Sequence, residues 1–310
     1  MAEYIFKRFT PLKQDIFDLV INEMLRVGWK QLNEGKENAK DVYVMYSNGN
    51  DGNKNIFIEL IPYDGANIIE GNSNKSNYDV RTSIYSDPFF RFCMGYNSNS
   101  GRGTSQDYSR PVSWFTGRRG SSYIGPGDGP QIDPAVTIEL FSYIDKEKII
   151  FCTIPPVMTS LTPTLCYLGV LDNLMLEEIH EPYTKALVWY SSAFNGLSSS
   201  YADTGLTFAS PKNGAQGQPV TSYQSNWLKI PTSKNPNVDS LFIMTPFYIY
   251  NNNYGIRGKL GGIFSTSEGR IVSGDILEVK ENEKTQKYKY IYAKSNNYGA
   301  LPAPLAFRIE

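Results

Sequence analysis

An α+β fold dominated by β-strands is what this sequence predicts, and three observations predict it. Short apolar segments alternate with polar residues at period two along most of the chain, as half-buried strands do. A helical apolar period stands out in one place, near the N-terminus. Tyrosine and phenylalanine are abundant, 22 and 16 in 310 residues, and aromatic rings favour pleated surfaces and interfaces. The expected architecture is a set of β-sandwich or barrel-like lobes of antiparallel hairpins, with one amphipathic N-terminal helix and two long loops.

The first element is the helix. In TPLKQDIFDLVINEMLRVGW, Thr10 is placed to cap, Pro11 suits the first helical position and Gly28 can stop the helix. Leu12, Ile16, Val20 and Met24 recur at i+4, with Phe17, Ile21 and Val27 beside them. That spacing predicts about four turns laid on an apolar surface. The period then changes to two. DVYVMYS (41–47) and NIFIELIPY (55–63) flank NGNDGNK, a strong hairpin signal, and NYDVRTSIYS (77–86) can follow as another strand. This helix and its hairpins make up residues 1–96.

Residues 97–134 differ in character. They are loaded with Gly, Ser and Pro, and they read as a long loop acting as an interaction arm. Strands resume in 135–194 and complete the first lobe. AVTIELFSYID (135–145) and KIIFCTIP (148–155) are joined by the turn Asp145–Lys148. Val136, Ile138, Leu140 and Ile144 share one face, which predicts a half-buried strand. LCYLGVLDNLMLEEIHEPYTKALVWYSSAF (165–194) reads as a strand, a short helical turn and a second strand. A second polar loop covers 195–237.

The C-terminal lobe, 238–310, holds SLFIMTPFYIYN, KLGGIFST, GDILEV and KYKYIYAKS, four short strands ending in LPAPLAFRIE. Within GKLGGIFSTSEGRIVSGDILEV (258–279), Ile263, Phe264, Ile271, Ile276 and Val279 describe a hairpin around turns. Gly258, Gly261 and Gly262 there permit a tight bend or a close backbone approach.

Chemistry-bearing motifs are mostly missing. Gly35-Lys36 is followed by Glu37 and Gly258-Lys259 by Leu260, so no phosphate loop with its hydroxyl forms. GRGTSQ (101–106) starts as a dinucleotide fingerprint, but Gln106 replaces the last glycine and the setting is a polar loop. His180 is the only histidine, and it stands beside Glu177, Glu178 and Glu181, where a solvated helix end accounts for it. A histidine-rich metal site is therefore out of reach. Asp51-Gly52-Asn53 suits a hairpin turn better than a calcium loop. No catalytic residue, cofactor or metal is expected. Paired carboxylates for glycoside hydrolysis need a separation of ~5–10 Å that only the fold sets, so a carbohydrate-binding or glycan-cleaving module stays as the rival reading.

Charge and cysteine usage narrow the setting. Thirty basic against 31 acidic residues give a net charge of −1, without the basic excess of a general nucleic-acid binder. Cys93, Cys152 and Cys166 are odd in number and far apart, which argues for reduced thiols, and Cys152 sits in an apolar run as a buried, inert one. MAEYIFKRFTPLKQD lacks the apolar core of a signal peptide, and no run approaches the ~18 residues a membrane span needs. Neither export by the usual route nor membrane contact is expected. In 97–134, Arg102, Arg110, Arg118 and Arg119 are interleaved with Tyr108, Trp114, Phe115 and Tyr123. Arginines with aromatic anchors on an extended loop suit a protein interface. A solvated loop is the second reading and phosphate contact the third.

Several segments, in order, resemble a family of tailed-bacteriophage virion structural proteins. They are the N-terminal helix with DVYVMYSNGNDGNKNIFIEL, the pair ending in KIIFCTIP, CYLGVLD with EPYTKALVWYSSAF, PNVDSLFIMTPFYI, and GKLGGIFSTSEGRIVSGDILEV with KYKYIYAKSNNYGALPAPLAF. The resemblance implies a non-enzymatic subunit of the virion, of the neck or tail-completion (terminator-like) type. Its implied partners are copies of itself in a ring and neighbouring neck, tail-tube or sheath proteins, with DNA only as it passes a ring lumen. A baseplate, tail-fibre adaptor or capsid-decorating protein is the alternative within that class. The place implied is the virion, after synthesis in the bacterial cytoplasm. The two long loops are the expected arms, ordering on assembly as they reach a neighbour.

Overall fold

The fold is described from a computed structural model, for residues 4–37, 42–62, 89–93, 95–104, 112–113, 135–154, 156, 163–172, 185–190, 206–209, 218–219, 244–251, 255–266, 271–281, 284–291 and 305–310. It is α+β and β-dominated, as the period-two alternation predicts. Antiparallel pairing joins every strand to its neighbours in three larger sheets and one two-stranded ribbon.

The central sheet runs in the order β1 (Lys7–Phe9), β9 (Glu139–Ile144), β10 (Lys148–Ile154), β11 (Thr164–Val170), β12 (Lys185–Tyr190), β13 (Leu206–Ala209) and β14 (Gln218–Pro219). An N-terminal sheet runs β2 (Lys30–Gln31), β3 (Tyr43–Ser47), β4 (Ile56–Ile61), β5 (Phe89–Cys93) and β8 (Val112–Ser113). The ribbon pairs β6 (Gly95–Asn97) with β7 (Arg102–Thr104). A C-terminal sheet runs β15 (Met244–Asn251), β16 (Gly255–Thr266), β19 (Leu305–Arg308), β18 (Lys284–Ile291) and β17 (Ile276–Glu281).

Over β9, β10 and β11 the central sheet is buried on both faces, and alternation along β10 shows how. Ile149 and Phe151 face one core with helix α1 (Ile16–Arg26) and the N-terminal sheet, where Met45, Ile56, Ile58 and Leu60 meet them. Ile150 and Cys152 face a second core with Leu260 and Ile263 of β16, Ile291 of β18 and Leu305 and Phe307 of β19. A layer between two others must be apolar on both sides, which is why IIFC (149–152) reads as a continuous apolar run. β9 follows the same rule. Val136, Ile138, Leu140 and Ile144 do share one face, but Phe141 and Tyr143 of the opposite face pack in the second core. The expectation of a half-buried β9 is thus corrected.

The helix is shorter than predicted. α1 spans 11 residues, and Ile16, Phe17, Val20, Ile21 and Met24 form its buried stripe. Leu12 is extended, with ψ 150°, and bridges Thr137. Pro11 carbonyl accepts from the Ile138 amide at 2.9 Å, and the Lys13 amide donates to Val136 carbonyl at 2.9 Å. The first expected turn is thus spent continuing the β1–β9 ladder, and neither Thr10 nor Pro11 opens the helix. A 3-10 turn over Lys13–Asp15 leads in instead. The stop is as expected: Gly28 takes φ +103° and its amide reaches Leu25 carbonyl at 3.1 Å.

The hairpin across NGNDGNK forms, with Ser47 opposite Ile56 and Tyr43 opposite Leu60. Both expected long loops contain strands, however. The 97–134 stretch supplies β7 and β8, and 195–237 supplies β13 and β14. Their Gly, Ser and Pro content hides them because strands of two to four residues carry little periodic pattern. β1 of the 1–96 piece pairs with β9 of 135–194, so these two stretches share the central sheet. The expected strand at 77–86 and helical turn within 173–184 lie outside the described residues.

Residues 258–279 do not form a hairpin. β16 pairs with β15 and β19, and β17 pairs with β18, so the two halves are separated by two strands. β19, drawn from LPAPLAFRIE, inserts between β16 and β18 as a fifth strand. An insertion of this kind is invisible to local pattern, because it is set by pairing across sequence.

Candidate functional site

Of the eight interface residues singled out by sequence, Arg102 is described; Tyr108, Arg110, Trp114, Phe115, Arg118, Arg119 and Tyr123 lie outside the described residues. Arg102 turns inward. It starts β7, and its Nε donates to Glu59 Oε1 at 3.0 Å while a terminal nitrogen reaches Oε2 at 3.4 Å. Glu59 sits on β4, in the alternation Ile56-Phe57-Ile58-Glu59-Leu60, with its side chain fully buried. The Gly103 amide donates to the same carboxylate at 2.7 Å. A buried charge needs a paired cation and further donors, and the ribbon β6–β7 brings both. Arg102 is therefore a clamp between ribbon and sheet.

A second polar cluster lies where the N-terminal segment, the central sheet and the C-terminal sheet meet. The Tyr4 hydroxyl donates to Asp172 Oδ2 at 2.5 Å. Lys148 Nζ donates to the Tyr4 hydroxyl at 2.7 Å and also to Asp172 Oδ1. Lys148 is 4% exposed and Asp172 19%, so the pair is screened from water. Asp172 ends the β11 run and exchanges backbone hydrogen bonds with Lys259 of β16 at 3.0 Å each way. Tyr167 of β11 donates to Val170 carbonyl at 2.5 Å, and the Gly261 amide hydrogen-bonds to its hydroxyl.

Glycine makes this junction possible. The β15–β16 ladder slips between Pro246 and Tyr248, where Gly261 and Gly262 lie. A Cβ at Gly261 would stand 2.4 Å from the Tyr4 hydroxyl and 2.7 Å from Asp172 Oδ2. Gly262 takes φ +74°, a left-handed conformation that L side chains resist. The close backbone approach expected from these glycines is present, and its occupant is the Tyr4 ring. The sequence offers no hint of that occupant, more than 250 residues away.

The electrostatics favour a clamp over a reactive centre. Burial, followed by the Asp172 hydrogen bond and charge, pushes the Tyr4 phenol far above its ordinary value. Burial does the same to Tyr143, with help from Asp145, and to Tyr167. A general acid or base at neutral pH needs its pKa brought toward the working pH; these phenols move the other way. The thiols of Cys152 and Cys166 are likewise pushed up by burial, which suppresses the nucleophilic thiolate. Cys93 is buried too, and none of the three cysteines is in a disulfide.

Among the described residues, no group of three or more His, Cys, Asp or Glu side chains could hold a metal ion, and no helix is long and apolar enough to cross a membrane. His180 lies outside the described residues. A comparison of the chain with protein-family models and with curated proteins finds no match.

Proposed function

We propose that the chain is a non-enzymatic structural subunit of a tailed-bacteriophage virion, a neck or tail-completion ring component. The observation that carries this reading is the ordered set of resembling segments, which reaches from the N-terminal helix to LAF at 305–307. The architecture supports it. Two cores share one central sheet, and buried charges are held as clamps between layers. A rigid body of this kind transmits load without deforming. Within the three larger described sheets, β1, β14, β15, β17, β2 and β8 are end strands. End strands offer main-chain hydrogen bonds to a neighbour, and heterologous contacts that close under rotation give rings.

Cryo-electron microscopy of particles that contain the chain tests the proposal. Density for it as a closed ring at the neck is expected. Density at the baseplate, a tail fibre or the capsid surface would overturn the ring position. Absence from the particle, or specific hydrolysis of host wall polysaccharide by the purified chain, would overturn the structural reading itself.

A further inference from the structure

We infer that the edge of β17 is a self-association surface, which pairs antiparallel with β17 of a second copy about a two-fold axis through Val279. The inference rests on edge chemistry and is independent of the virion reading.

The backbone comes first. β17 is hydrogen-bonded on one side to β18 and ends the described sheet. The Tyr290 amide donates to Asp275 carbonyl at 2.9 Å. Backbone groups in an antiparallel ladder point alternately to each side, so Leu277 and Val279 direct theirs to β18. Ile276, Glu278 and Lys280 then direct theirs to the open side. The same three residues carry exposed side chains, while Leu277 and Val279 pack inward.

The register follows from charge. A second β17 that continues the sheet with its packed face on the same side must pair even-numbered residues with even-numbered ones. An axis through Glu278 would oppose two glutamates, and one through Lys280 would oppose two lysines. An axis through Val279 opposes Glu278 to Lys280 of the copy, and Lys280 to Glu278 of the copy. Both become narrow hydrogen-bonded pairs with opposite charges facing.

The single chain already holds the start of this ladder. Lys287 Nζ bonds Glu310 Oε2 at 2.6 Å, and Glu278 stands across from Lys287 in the β17–β18 register. Charge thus alternates Glu310, Lys287, Glu278 toward the edge, and Lys280 of the copy is the next term. In its own chain Lys280 faces Thr285 and makes no ion pair among the described residues.

Apolar exposure gathers at the same place. Val272 is 70% exposed and Ile276 51%. They are two of the four exposed large hydrophobics among the described residues; Ile276 opens β17 and Val272 lies four residues before it. With the axis at Val279, Ile276 lies diagonal to Lys280 of the copy, whose methylene stem covers it. Lys280 taken alone would suit an edge guarded against pairing; the self-complementary order of Glu278 and Lys280 separates the two cases.

Native mass spectrometry of the full chain at tens of micromolar tests the inference, with amide hydrogen exchange as a second readout. The wild type is expected to give a dimer, or an assembly with an even number of copies. Lys280→Glu and Glu278→Lys each place like charges opposite one another, and each should lower pairing affinity by roughly tenfold or more, halving the assembly. Mixing the two single variants should restore pairing as a heteromer, because each then opposes the other's charge. A variant that fails to fold cannot rescue its partner, so rescue excludes misfolding as the cause. The outward amides of Glu278 and Lys280 should exchange slowly in the dimer and quickly in either variant. A monomeric wild type, an assembly unchanged by either variant, or a mixture that stays unpaired would each overturn the inference.

Discussion

Glu59 shows what a single residue contributes to this molecule. A fully buried carboxylate between Ile58 and Leu60 is held by Arg102 and by the Gly103 amide. Removing it strands a guanidinium and an amide together, which costs more than the pair contributes. Glu59→Ala should lower stability by about 2–4 kcal/mol in chemical denaturation, and Glu59→Gln by less, since one acceptor remains for Gly103. Equal losses in the two variants would show that Arg102 is held by something else. Gly261 makes the complementary point about space. Gly261→Ala should cost about 2–3 kcal/mol, because its Cβ must displace the Tyr4 ring. Combined with Tyr4→Ala, it should cost less than the sum of the two, and a double-mutant cycle measures this.

At the scale of elements, the N-terminal segment is a fastener between sheets. β1 pairs with β9, while the Phe6 amide donates to Arg308 carbonyl of β19 at 2.9 Å. The Phe6 ring lies 4.7 Å from that of Phe307, which lies 5.5 Å from that of Phe141. Phe6 thereby ties the central sheet to the C-terminal one. Phe6→Ala should destabilise by about 3–5 kcal/mol and should raise amide exchange in β19 as well as β1. Exchange changes confined to β1 would mean the two sheets hold together without it. On the other face, the turn after β9 does the equivalent work: Trp29 Nε1 donates to Asp145 carbonyl at 2.7 Å, and Lys54 pairs with Glu147. Asp145 Oδ1 in turn accepts from the amides of Glu147 and Lys148 at 2.7 and 2.9 Å, which fixes the turn.

Across the whole molecule, one buried phenol and two half-buried ones link stability to alkaline pH. Tyr4, Tyr143 and Tyr167 hold their protons more tightly folded than unfolded, chiefly because of burial. Above about pH 10 the unfolded chain releases these protons and the folded one keeps them. Their contribution is fully present below pH 10 and falls away as pH rises beyond it. A spectrophotometric titration should show the exposed tyrosines ionising near pH 10 and these three only on unfolding. Ionisation of all tyrosines in one step near pH 10, with the fold intact, would contradict their burial.

The sequence by itself determined the strand-rich class, the buried stripe of α1, the hairpin across NGNDGNK and, at Gly261 and Gly262, room for a tight bend or a close approach. Each of these is written within a few neighbouring residues, through period, turn chemistry or the missing Cβ. The tertiary structure alone decided that β9 is covered on both faces and that Pro11 extends a ladder instead of opening a helix. It alone set β19 between β16 and β18, Arg102 on Glu59, and Tyr4 over the glycines of β16. The reason is physical: local pattern says which face of an element is apolar, but pairing partners are chosen across hundreds of residues by what the assembled layers leave to be covered. For the same reason the edge of β17 became legible only once β18 was known to occupy its other side.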